Sequence, residues 1–129
     1  MKLEGYRQTW HVEDAASLEA ALSLRDERGG ADLWLSPDGA EYACLAIRIG
    51  GNVGDVHFLP EFDNPGYRCL GGSELPKNGI TKLVFMGCDP GDGEEVPNEF
   101  VVPSATIVRV ARGFLLGEQV LDLAKWLQL

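Results

Sequence analysis

The stretch from Ala31 to Leu59 restricts the fold most, because its apolar residues recur at every second position around a glycine turn. Strands place alternate side chains on opposite faces, so this spacing reads as β structure with one face buried. Ala43, Leu45, Ile47 and Ile49 share one face of a strand from Tyr42 to Ile49, and Tyr42, Cys44, Ala46 and Arg48 share the other. Gly50-Gly51-Asn52 turns the chain into a second strand, Val53 to Leu59, with Val56 and Phe58 on one face and Asp55 and His57 opposite. A two-residue loop at Gly51-Asn52 pairs Arg48 with Asp55, Ile47 with Val56 and Leu45 with Phe58. A three-residue loop puts Asp55 on the Ile47 face instead. A slip of one residue inverts a strand's burial, so the pattern selects the two-residue loop. The same register sets His57 opposite Ala46, with Cys44 two positions further along the neighbouring strand.

Flanking segments complete the expected fold. Gln8 to Val12 has strand composition, and Asp14 is a suitable cap for a helix near 14–28 whose stripe is Leu18, Ala21, Leu22 and Leu24. Arg25 and Arg28 are expected in its last turn, and Gly29-Gly30 is expected to stop it. Ala31 to Ser36, Pro65 to Leu70, Ile80 to Met86 and Leu123 to Leu129 read as further strands, and Val96 to Val102 as extended chain. Pro103 opens a second helix near 103–117 that buries Ile107, Val110, Ala111 and Phe114. The expected fold is α+β in one domain, residues 1–129: an antiparallel or mixed sheet of about six strands, its two main helices packed on one face.

Charge narrows the partners. The chain has 129 residues, with 20 acidic against 11 basic side chains and a formal charge of -9. Such a surface repels phosphate backbones and anionic lipid and attracts a basic protein, so neither direct nucleic-acid nor membrane binding is expected. No apolar run approaches the ~20 residues of a membrane span. The first residues, Met1 to Arg7, lack an apolar signal region, and the three widely spaced cysteines Cys44, Cys69 and Cys88 suit a reducing cytosol, so a cytoplasmic location is expected.

Catalytic chemistry finds little purchase in the sequence. An enzymatic or ligand-binding alternative would pair His57 with Cys44 or Cys69, which needs an imidazole to draw the thiol proton. Cys88 to Glu95 carries four carboxylates, but its spacing fails the calcium-loop pattern. The glycine-rich segments are turns without a following helix to hold phosphate. Neither metal nor cofactor is expected. The surface suits protein contact better. Trp10, Trp34 and Trp126 are three large anchor candidates, each with a core reading beside it. Phe62 and Asp63 in one loop, and Asp89, Asp92, Glu94 and Glu95 in another, form the expected contact set, an apolar anchor beside carboxylates that can face a basic partner.

Several segments together resemble immunity proteins of bacterial polymorphic toxin systems, the α+β class that includes the immunity partner of the double-stranded-DNA cytosine deaminase toxin. They are Leu33-Trp34-Leu35-Ser36, the hairpin Ala43 to Pro60, Pro65-Gly66-Tyr67-Arg68, Val96-Pro97-Asn98-Glu99-Phe100-Val101-Val102-Pro103 ahead of the second helix, and Trp126 to Leu129. The resemblance spans nearly the whole chain and implies a non-catalytic protein. Its expected function is to bind and neutralise a cognate toxin domain, a nucleic-acid-targeting deaminase or nuclease, by blocking the active site.

Overall fold

A computed structural model describes residues 1–71, 74–88 and 93–129. Among these, eight strands form one antiparallel sheet and two more form a separate hairpin. The strands are β1 (Lys2–Gly5), β2 (Gln8–His11), β3 (Gly30–Ser36), β4 (Cys44–Gly50), β5 (Val53–Leu59), β6 (Tyr67–Leu70), β7 (Ile80–Leu83), β8 (Glu94–Pro97), β9 (Val102–Pro103) and β10 (Lys125–Gln128). The large sheet runs β10-β6-β5-β4-β3-β1-β2, and β9 pairs with β5 at Val53 and Gly54, beyond the reach of β6. Helices α1 (Ala15–Ser23) and α2 (Ser104–Leu115) complete the α+β fold. No helix among the described residues is long and apolar enough to cross a membrane.

The β4–β5 hairpin has the register its alternation demands: Arg48 opposite Asp55, Ile47 opposite Val56, Leu45 opposite Phe58, around Gly51-Asn52. Its inward face joins Leu3, Leu33 and Leu35 of β1 and β3 in one core with Leu18, Ala21 and Leu22 of α1 and Ile107, Val110 and Ala111 of α2. Both helices therefore lie on one face. Each large apolar side chain fully buried there contributes roughly 1.5–3 kcal/mol. Gly54 is needed for that packing, because a Cβ would stand 2.2 Å from the Arg48 carbonyl and 2.9 Å from the Ile107 side chain.

The sheet is larger than the six strands expected. β1 escaped notice because it is short and its turn into β2 uses Tyr6 and Arg7, with Arg7 at φ 61° where glycine or asparagine would ordinarily announce a hairpin. α1 also stops at Ser23 rather than near 28. The Asp26 carboxylate explains why: it accepts from the backbone N–H of Arg28, Gly30 and Met86, a loop arrangement that competes with helical bonding. Arg25, now outside the helix, still donates to the Leu22 carbonyl at 2.6 Å. The strand expected over Ile80 to Met86 ends at Leu83, and the extended stretch 96–102 divides into β8, a 3-10 turn at Asn98–Phe100 and β9.

The β7–β8 hairpin makes a second, smaller core on the other side of the sheet. Leu83, Phe85, Val96, Phe100 and Val101 pack there against Val53 and Leu70. Gly30 permits the approach, since a Cβ would meet the Val84 carbonyl at 2.1 Å and the Ile49 carbonyl at 2.5 Å. The hairpin thus sits at the Gly30–Gly50 end of the face that the helices leave bare.

Candidate functional site

Register assembles a row of side chains across the sheet face opposite the helices. Glu4, Trp34, Ala46, His57, Arg68 and Leu127 come one each from β1, β3, β4, β5, β6 and β10. Beside it, nearer the Gly50 turn, runs a shorter row of Asp32, Arg48 and Asp55.

Asp55 anchors this face and is only 1% exposed. Arg48 donates from Nε to one carboxylate oxygen at 2.9 Å and from a terminal nitrogen to the other, and Arg68 adds a third hydrogen bond at 3.0 Å. Arg48 also reaches Glu94 of β8 at 3.0 Å, and the Arg68 guanidinium lies 4.0 Å from the centre of the Phe100 ring. A carboxylate out of water needs such partners, because desolvation alone would neutralise it. One buried carboxylate therefore ties β5 to β4 and β6, and Arg48 extends the tie to Glu94 of β8.

The cluster is not balanced. Asp32, Asp55 and Glu94 set three carboxylates against the guanidiniums of Arg48 and Arg68. Asp32 is the unmatched member: its cross-strand neighbour Arg48 turns to Asp55 and Glu94, and among the described residues no hydrogen bond or ion pair engages its carboxylate. Burial pushes the Asp32 carboxyl up from its ordinary range, with Arg48 opposing the shift. Burial pushes the His57 imidazole down; Asp55 pulls it up, and Arg68 and Arg48 press it further down. His57 is accordingly neutral at physiological pH and does not cancel the surplus carboxylate.

Trp34, 43% exposed, forms a ridge between two shallow hollows. One, of about 380 Å³, is bordered by Asp32, Ala46, Arg48, His57 and Leu59. The other, of about 310 Å³, lies between Trp34 and Glu4, Glu41 and Tyr42. Tyr42 meets Phe62 edge to face at 6.1 Å between ring centres, and Phe62 is 78% exposed. The turn Glu61–Asn64 holds Phe62 out: the Asn64 N–H donates to the Glu61 carbonyl at 3.4 Å, with Asp63 at φ 66°. An indole and a phenyl ring in water, rimmed by Glu4, Glu41, Glu61 and Asp63, have the chemistry of a protein-contact surface.

The expected contact residues fall in two places. Phe62 and Asp63 border this surface, beyond the end of β5. Glu94 and Glu95 lie on β8 near the opposite end of the sheet, where Glu94 is held by Arg48 and Glu95 is exposed across from Lys82. Asp89 and Asp92 lie outside the described residues. Sequence reasoning missed Asp32, and it named Trp34 without assigning it a face; alternation around Leu33 and Leu35 was the available signal. Trp10 and Trp126 are half-buried against the helix-side core, so of the three tryptophans Trp34 is the exposed one.

The thiol–imidazole alternative meets a different geometry. Cys69 points to the helix-side core, whereas His57 pairs with Arg68 on the other face. Cys44 shares the His57 face but has no exposed surface. Burial pushes both thiols up to about 11, which disfavours the thiolate. Among the described residues no group of three or more histidine, cysteine or acidic side chains is placed to hold a metal ion. No protein-family model matches the chain, and no curated protein matches it.

Proposed function

We propose that this protein is an immunity protein that binds a cognate bacterial toxin domain, a nucleic-acid-targeting deaminase or nuclease, and blocks its active site in the cytoplasm. The observation that carries the reading is the line of rings formed by exposed Trp34 on the sheet face bare of helix, half-buried Tyr42 beside it and exposed Phe62 in the loop after β5, rimmed by carboxylates. An enzyme acting on nucleic acid needs a basic cleft to hold phosphates, and a chain of charge -9 is drawn to such a cleft. Long-range attraction speeds the encounter, and buried aromatic anchors slow dissociation. The sequence resemblance points the same way.

The test is rescue. Cells expressing the toxin domain encoded by the neighbouring reading frame are expected to stop growing alone and to grow when this chain is co-expressed. The Trp34→Ala/Phe62→Ala double variant is expected to fold and to lose protection. Wild-type chain that neither protects cells nor co-elutes with the purified toxin domain overturns the proposal.

A further inference from the structure

We propose that the hollow between Trp34 and His57 receives an arginine side chain from a protein partner, its guanidinium laid on the Trp34 indole and paired with Asp32. Three independent features of the hollow converge on this occupant. Among the described residues its one carboxylate without a hydrogen bond or ion pair is Asp32, half-buried and left over after Arg48 pairs with Asp55 and Glu94 and Arg68 pairs with Asp55, although the buried Arg68 Nε itself has no hydrogen-bond partner. Its wall is a partly exposed indole, the ring whose face attracts cations most strongly. Apart from Arg48, its remaining border, Ala46, His57, Leu59 and Pro65, is uncharged or apolar and offers nothing that would favour an anion. Arg48 borders the hollow too, but its charge is already matched by two carboxylates.

Geometry selects arginine over lysine. A planar guanidinium can stack on the indole while its N–H fork meets a carboxylate, and it sheds water more readily than an ammonium does. A shallow hollow beside a flat ring suits a planar group. Asp32 is also partly desolvated, and among the described residues no hydrogen bond engages its carboxylate, so its charge is less favoured in the free protein than in water. A residue that burdens the fold and is poised to be relieved by a cation fits a binding role better than a structural one. That the arginine belongs to a toxin domain rests on the function proposed above; the hollow's preference for a guanidinium does not.

The test uses the full chain, ¹⁵N-labelled, at low salt. It is titrated with N-acetyl-arginine amide, with the lysine amide, and with the citrulline amide, which keeps arginine's shape and lacks its charge. The arginine compound is expected to shift the Trp34 indole N–H and the Ala46 and His57 amides saturably, at least tenfold more tightly than either control. Asp32→Asn is expected to raise the urea midpoint of unfolding while weakening that response at least tenfold; Glu95→Gln, an exposed carboxylate on β8, is expected to leave the response intact. Equal responses to arginine and citrulline, to arginine and lysine, or in wild type and Asp32→Asn, overturn the proposal. Toxin affinity unchanged by Asp32→Asn also overturns it, and leaves the neutralising function standing. Arginine binding that persists where the toxin is not bound supports the hollow's assignment and removes the toxin as its partner.

Discussion

Asp55 shows how much of the molecule a single carboxylate can hold. With two guanidiniums turned on it, Asp55→Ala leaves both cations without their shared counter-charge beneath the β7–β8 hairpin. Breaking a buried ion pair this way costs about 3–5 kcal/mol, and urea denaturation is expected to show a loss of that size. His57 sits in the neighbouring row with Asp55, Arg48 and Arg68 around it, and its pKa lies below the ordinary 6.5. The unfolded chain therefore takes up the proton first. The contribution of His57 to stability is expected to be full above about pH 7, to fall as pH drops through 6.5, and to stop falling once the folded imidazole is also protonated. Comparing urea midpoints at pH 7.5 and 5.5 for wild type and His57→Gln checks the sign: the variant should lose part of the drop. At this scale the sequence was partly readable. Arg48 opposite Asp55 follows from the turn and the alternation, but Arg68 and Glu94 reach the same carboxylate from segments no local pattern connects to it.

Among the elements, those with strong periodicity or clear capping were legible. The β4–β5 hairpin had both an apolar alternation and a glycine-asparagine turn, and Asp14 caps α1 through a reciprocal pair of bonds with Ser17. Asp14→Ala is expected to cost about 0.5–2 kcal/mol, measured as a lowered urea midpoint. Of the short strands, β2, β6, β7 and β10 fall within segments read as strands, whereas β1 and β9 owe their existence to the neighbours they pair with and were not legible. The placement of β7 and β8 was hidden for a similar reason. Their residues announce a hairpin's worth of apolar surface but not which sheet face receives it. A contrast between adjacent residues of β8 checks that placement. Glu94→Lys is expected to destabilise the fold by confronting Arg48, whereas Glu95→Gln, exposed to water, should stay within about 0.5 kcal/mol of wild type by the same measurement.

At the scale of the whole molecule, the excess of negative charge acts at a distance and the aromatic ridge acts on contact. Under the proposed function, association with a basic toxin domain is expected to slow steeply as salt rises, and Glu61→Lys/Asp63→Lys to slow it further at low salt. Phe62→Ala is expected instead to hasten dissociation; stopped-flow and surface-binding kinetics separate the two effects. Charge was readable from composition alone, and Phe62 from its loop. Trp34 was named as an anchor candidate without a face and Asp32 was missed; alternation could assign both to one face, but not reveal whether anything covers that face. The Asp55 fastening includes neither Trp34, Tyr42 nor Phe62. The framework's rigidity and the shape it presents outward are thus separate properties of one sheet. Under the proposed function, side chains along the ridge can be exchanged to change the fit to a partner without loosening the ion pairs that lie beneath.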